Sequence, residues 1–332
     1  MRPALHSRLL APILLATAAL AGCGGSSSSP TPHAGLTAPP PFNAADFPPG
    51  AGRSAAQLGA GLPVGGEVAP TESIFHPGTD RFGFALFDPG RKQITGAEVA
   101  MYVGSATATD LHGPYPAVEE SLHVDPAFQS QTVAKDPDAA TSVSVGQVPL
   151  GGVRAQSVFV LARVGGRLEA FQPAAVPVTP ASTTGGPPSV GQLAPLIHTP
   201  TTASVGGNVA SIDTRQPPDD MHAVDLASAL GHKPVLLLFA TPQLCQSRVC
   251  GPVVDIAEEL NSRLGSQAEF IHMEIYNDNQ VAKGFRPQVR AYRLPTEPWA
   301  FAIDRRGRIV ARIEGAFSLA ELTSAVQRAI SA

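Results

Sequence analysis

The chain reads as a multidomain protein in which an N-terminal antiparallel β-sandwich precedes a C-terminal α/β domain. Three observations lead there. Apolar residues recur at period two through residues 71–179 with no helical stripe among them. A stretch rich in Pro, Thr, Ser and Gly at 180–195 then breaks the pattern. Beyond it, short apolar runs fit for buried strands alternate with amphipathic helical segments. At 332 residues and 43% hydrophobic content, two modest cores are affordable. The formal net charge is -4 and the arginines are scattered, so nothing forms a nucleic-acid footprint and no nucleic-acid partner is expected.

Arg2 and Arg8 precede an apolar run from Leu9 to Leu20, the basic and hydrophobic regions of a secretory signal. The run is too short for a permanent membrane span. It ends in Leu20-Ala21-Gly22-Cys23, followed by Gly24-Gly25 and Ser26 to Ser29, which resembles the processing site of bacterial lipoproteins. The resemblance implies that residues 1–22 are removed and that Cys23 carries lipid, holding the protein on the extracytoplasmic face of the cell membrane. Residues 23–70, dominated by Gly, Ser, Ala and Pro, are expected to be an unfolded tether with a reach of about 35 Å.

Within 71–179, Phe82, Phe84 and Leu86 alternate ahead of Asp88-Pro89-Gly90, and Val99, Met101 and Val103 alternate in the next run. Ser157 to Val164 reaches Gly165-Gly166, a tight-hairpin signal, before Arg167 to Phe171 returns. Such runs suggest a sandwich of immunoglobulin-like kind. His76, His112, His123 and Met101 share no ligand spacing, and are read as loop histidines and a core methionine.

After residue 195, Val235 to Thr241 suits a central strand. Pro252 marks a helix start, with Val253, Ile256, Leu260 and Leu264 as its stripe. Ala268 to Ile275 reads as a second, parallel strand. Trp299 to Ile303 and Ile309 to Ile313 form a hairpin about Arg305-Arg306-Gly307, and Ser318 with Glu321 makes a capping box for a terminal helix.

That order of elements, carried by Lys233 to Thr241, by Cys245 and Cys250, and by Glu297-Pro298-Trp299-Ala300-Phe301-Ala302-Ile303-Asp304 with Gly307, resembles the thioredoxin-like extracytoplasmic group typified by ResA and TlpA. The resemblance covers residues 196–332. It implies an α/β thioredoxin-like fold, thiol–disulfide exchange through Cys245 and Cys250 with protein thiols or disulfides as partners, no cofactor, and a cis-proline at Pro298 facing the cysteines. Glu297 would then either sit where a carboxylate can take a proton from the resolving thiol or be a solvated loop glutamate. The family places two residues between its cysteines and a tryptophan before the first. Here Gln246-Ser247-Arg248-Val249 intervene and Leu244 precedes. Trp299 is read either as a cover for the cysteine pair or as a core residue.

In a regular helix, residues 245 and 250 would hold their α-carbons about 8 to 9 Å apart. A disulfide needs less than about 7 Å. The pair can therefore bridge only from a loop, with a helix starting after Cys250 at Gly251-Pro252. Both thiols would then lie near a helix N-terminus, which lowers a thiol pKa. Cys245, nearer the strand end and more exposed, is assigned the attacking role and Cys250 the resolving one. Arg248 is read as solvated rather than as an aid to the thiolate. Two other readings stay open. One is a copper-handling lipoprotein of the Sco type, although His222, His232 and His272 match its expected ligand poorly. The other is a binding or scaffold lipoprotein whose 245/250 disulfide is structural.

Overall fold

In the computed structural model, which describes residues 42–180 and 185–332, strands dominate and long helices are few. The first sheet contains β1 (Val64–Pro70), β2 (Gly78–Phe87), β3 (Gln93–Ile94), β4 (Glu98–Ser105), β5 (His112–Ser121), β6 (Ser142–Leu150), β7 (Ala155–Val164), β8 (Arg167–Gln172) and β9 (Ala174–Pro177). Its order is β1-β8-β7-β4-β5-β6-β2, and β2 pairs back onto β1, so seven strands close into a barrel; β3 and β9 flank β2 and β7. Neighbours are antiparallel except β1 and β8.

The expected fold class, an immunoglobulin-like sandwich beside a separate α/β thioredoxin-like domain, is thereby corrected. The alternation was real, but it points into a barrel. Phe82, Phe84, Leu86, Val99, Met101, Val103, Val158 and Val160 meet in one interior cluster. A sandwich needs two such inner faces, whereas a closed sheet supplies one. The hairpin at Gly165-Gly166 is as expected, both residues having positive φ.

The tether expectation for 23–70 also gives way from Phe42 onward. A helical turn, α1 (Ala55–Leu58), is capped by Ser54, and Phe47 and Leu58 pack with Ala100, Tyr102, Phe159 and Leu161 on the outer face of β4 and β7. Those two strands are buried on both faces for this reason. The proposed signal, Cys23 and the first part of the tether lie outside the described residues. No helix among the described residues is long and apolar enough to cross a membrane.

Around the barrel lie α2 (Gln131–Ala134), in the β5–β6 connection, and α3 (Leu226–Ala229). The second sheet has the order β11-β10-β12-β13, from β10 (Val235–Phe239), β11 (Glu269–Met273), β12 (Trp299–Ile303) and β13 (Ile309–Glu314). β10 is parallel to β11, while β12 runs antiparallel to both β10 and β13. Its helices are α4 (Cys250–Leu264), the short α5 (Pro287–Ala291) and α6 (Leu319–Ser331).

Alternation divides this sheet into two faces. Leu236, Leu238, Ala300, Ala302, Ala311 and Ile313 pack with α4 and α6, and the same cluster takes in Leu122, Val124 and Val143 from the barrel side. Val235, Leu237, Phe239, Ile271, Trp299, Phe301 and Ile303 pack on the other face against Val289, Tyr292, Leu226 and Ala229. The two sheets thus share a core. Polar contacts fix their register: Arg81 donates to Glu321 at 2.6 and 2.8 Å and to the Ala316 carbonyl at 2.7 Å. Glu314 accepts from Ser73 N–H at 2.9 Å and Ile74 N–H at 3.2 Å. Ser318 caps α6 through Glu321 N–H at 3.1 Å, but the Glu321 carboxylate is taken by Arg81. Only the forward half of the expected capping box therefore forms.

Candidate active site

The cysteine turn grows out of the buried end of β10. Residues 242–249 are irregular and α4 begins at Cys250 itself. The loop geometry required for a pair separated by four residues is therefore present. The helix starts one residue earlier than expected, so that Cys250 is its first residue and Val249 its cap. Arg248 adopts φ 60°, the left-handed conformation that turns the chain into the helix.

Both cysteines are free thiols within the same core cluster. Cys245 keeps 6% of its surface exposed and Cys250 none. The Cys245 thiol is lowered to about 6, chiefly because the Cys250 thiol donates a hydrogen bond to it; burial works the other way, and Ser247 and the Cys250 and Val249 amides assist. The Ser247 hydroxyl lies 3.2 Å from Cys245 Sγ. The amides of Cys250 and Val249 are the unsatisfied donors of the α4 N-terminus, so helix start and thiolate stabilisation share one cause. Cys250 moves the opposite way, well above a normal thiol, through burial, its hydrogen bond to Cys245 and the charge there. With the two shifts opposed, the slightly exposed Cys245 can be a thiolate at neutral pH while the buried Cys250 keeps its proton.

Glu297 and Pro298 precede β12, and the peptide between them is cis. Pro298 is buried and Glu297 half-buried. Burial pushes the Glu297 carboxyl up to about 7; the Cys245 charge adds to this and a hydrogen bond with Tyr276 opposes it. Glu297 in turn raises Cys250. The carboxylate and both sulfurs thus feel one another's charge. Sequence reasoning missed Tyr276, whose hydroxyl is pushed up by burial and by Glu297, Cys245 and Cys250. It stands just past the strand expected over 268–275 and three residues beyond the end of β11, where no motif singled it out.

Arg248 does not act on the thiols. Its guanidinium is half-exposed and paired with Asp136 at 2.9 Å. Trp299 is fully buried in the cluster on the face of the sheet opposite α4, donates to Thr296 at 3.0 Å and stacks on Phe301 at 5.9 Å. Of its two expected roles, the core one is observed. The barrel reaches over the turn: Ala140 N–H donates to the Arg248 carbonyl at 3.1 Å, Asp255 on α4 accepts from Ser130, and Val133 of α2 lies against Gly251. A Cβ at Gly251 would come within 2.8 Å of Val133 Cγ2.

Among the histidines, His112 and His123 are exposed, His76 bonds the Thr179 carbonyl at 3.1 Å, and Met101 is in the barrel core. They do not assemble. His222 and His272 gather with Asp213 and Asp219 rather than with a cysteine.

No described protein family matches the sequence, and no curated protein does either. Among solved structures, the chain is similar to a putative thiol:disulfide interchange protein DsbE from Chlorobium tepidum, at 16% identity, covering 43% of this chain and 98% of that one with a TM-score of 0.31. It is also similar to a thiol:disulfide interchange protein of the thioredoxin family from Chlorobium tepidum TLS, at 17% identity, covering 43% and 99% of the two chains with a TM-score of 0.30.

Proposed function

We propose that the protein exchanges disulfides with protein substrates through Cys245 and Cys250. The observation that carries this reading is the opposite displacement of the two thiols, Cys245 down to about 6 and Cys250 well above its ordinary value, at one helix N-terminus. A structural disulfide needs no such asymmetry, and the slight exposure of Cys245 alone gives a partner one sulfur to meet.

In the reducing direction, the Cys245 thiolate attacks a sulfur of a substrate disulfide and expels one substrate thiolate, leaving a mixed disulfide. Cys250 then loses its proton to the Glu297 carboxylate and attacks the Cys245 sulfur. The second substrate thiolate departs, the substrate has gained two electrons, and Cys245–Cys250 is oxidised. Glu297, poised near pH 7, releases the proton to solvent. A dithiol partner returns the pair to its starting state. The anchor belongs to the same proposal: lipid on Cys23 would hold the site at the extracytoplasmic membrane surface, supported by the charge, the apolar run and the Leu-Ala-Gly-Cys motif upstream.

The test is trapping. A Cys250→Ser protein incubated with a disulfide-bonded substrate should accumulate a mixed disulfide at Cys245, whereas Cys245→Ser should not. Equilibration of the native pair against glutathione should give a potential near that of extracytoplasmic exchange couples. A value below about -300 mV, with no trapped adduct, would mark a structural bond and end the proposal.

A further inference from the structure

A second cluster of titratable side chains lies in the segment ahead of β10 and on β11. Asp213, Asp219 and His222 come from residues 213–222 and His272 from β11, and their relative exposures are 3, 5, 2 and 0%. One ligand atom from each lies within 4.8 Å of all the others. His222 Nε2 is 3.4 Å from Asp219 Oδ1 and 3.5 Å from Asp213 Oδ2. His272 Nδ1 is 2.7 Å from Asp219 Oδ2 and 3.8 Å from Asp213 Oδ1. Nitrogen and oxygen ligands bound at about 2.0–2.1 Å around a tetrahedral ion stand about 3.3–3.4 Å apart. Both His222 separations fall close to that edge, too long for good hydrogen bonds, and the two His272 separations bracket it.

Three further features point to a ligand. Neither ring nitrogen of His222 has a hydrogen-bond partner, although the side chain is 1% exposed and Nε2 faces both carboxylates. Buried polar atoms are rarely left so. His272 Nε2 lies 3.2 Å from the Ala240 carbonyl, which can only accept, so the neutral ring presents an Nδ1 lone pair to the carboxylates. That arrangement is how metal-bound imidazoles are commonly oriented. The carboxylates are aimed in the same way by backbone donors: Asp213 accepts from Arg215 and Asp219 N–H, each at 2.7 Å, and Asp219 from Met221 N–H at 2.9 Å.

We propose that Asp213, Asp219, His222 and His272 form a closed four-ligand site for a divalent transition-metal cation, with zinc suited to this imidazole and carboxylate set. Binding displaces the proton on His272 Nδ1 to solvent and changes no oxidation state. With no side open to solvent, the ion is structural. It ties the 213–222 segment to β11, where His272 N–H already donates to the Met221 carbonyl at 3.0 Å. Through Ala240 it also steadies the end of β10 from which the cysteine turn departs.

The test removes the thiols as competing ligands. Full-length protein carrying Cys23→Ser, Cys245→Ser and Cys250→Ser, stripped with chelator, is titrated with zinc and with cobalt(II). The expected results are one ion per chain, four-coordinate cobalt bands without thiolate charge transfer, and a melting temperature raised by zinc. His222→Gln in the same background should weaken zinc binding on the order of 100-fold or more and abolish the thermal shift. Failure of the parent protein to bind zinc, six-coordinate cobalt, or equal zinc affinity in a folded His222→Gln protein overturns the proposal. Asp213→Asn serves as the second ligand variant where His222→Gln does not fold, and the parent cobalt spectrum decides independently of either.

Discussion

Removing the hydrogen bond that Cys250 gives to Cys245 should return the attacking thiol toward ordinary acidity. That bond is the largest single cause of the lowered Cys245 value. Hydrogen bonds to charged groups contribute about 1.5–3 kcal/mol, and one pKa unit corresponds to about 1.4 kcal/mol, so Cys250→Ala should raise Cys245 from about 6 by roughly 1 to 2 units. The sign follows from what is lost: a donor that favours the thiolate disappears, so the protonated form gains. At pH 6 the native thiol is half ionised. A one-unit rise leaves about a tenth ionised, and alkylation by iodoacetamide should slow about fivefold. Cys250→Ser keeps a donor and should titrate near the native value. The assay is the pH profile of alkylation, read alongside thiolate absorbance. A Cys250→Ala profile that coincides with the native one refutes the reasoning, because the helix N-terminus alone would then account for the acidity.

Glu297→Gln should slow resolution of the mixed disulfide roughly 10²-fold and remove the limb of the pH–rate profile near 7, checked by stopped-flow exchange. Arg248→Ala should leave the Cys245 titration unmoved, since its partner is Asp136; a shift of half a unit or more would contradict the geometry. Gly251→Ala should destabilise by about 1–3 kcal/mol in urea unfolding through overlap with Val133, and Val133→Ala added to it should recover part of that loss. Arg81→Ala should cost about 3–5 kcal/mol, as it leaves Glu321 and Glu72 uncompensated at the junction of the two sheets.

The strands were legible where apolar residues alternate or run together, β4, β7 and β10 included although both of their faces are buried. Phe82, Phe84 and Leu86 announce β2 because their neighbours point outward. Closure was not legible, and β1 shows why. Its sequence Val-Gly-Gly-Glu-Val-Ala-Pro reads as linker, yet Gly65 lies where a Cβ would come within 2.5 Å of the Phe171 ring, and Gly66 has φ 127°. Packing demands the residues that composition associates with disorder. The parallel pairing of β1 with β8 spans about a hundred residues and leaves no local trace. Cys245, Cys250, Glu297 and Pro298 were singled out by the family resemblance, and the structure sets the pair at the start of α4 and Glu297-Pro298 just ahead of β12. Asp213, Asp219 and His222 were not legible, as their segment is irregular and carries no period. The one available signal was His272, a polar residue set between the apolar Ile271 and Met273 of the strand Glu269–Met273.

The β5–β6 connection, which bears on α4 through Ser130, Val133 and Ala140, changes how the chain can be divided. A fragment beginning at residue 196 would retain every proposed exchange residue, but would bare the apolar surface that Leu122, Val124 and Val143 cover and would strip Asp255 of Ser130. Such a fragment should be sticky and soft at the cysteine turn. For engineering, the unit of transplantation is the barrel together with the second sheet, and a graft of the cysteine half onto another scaffold needs a replacement for that strap.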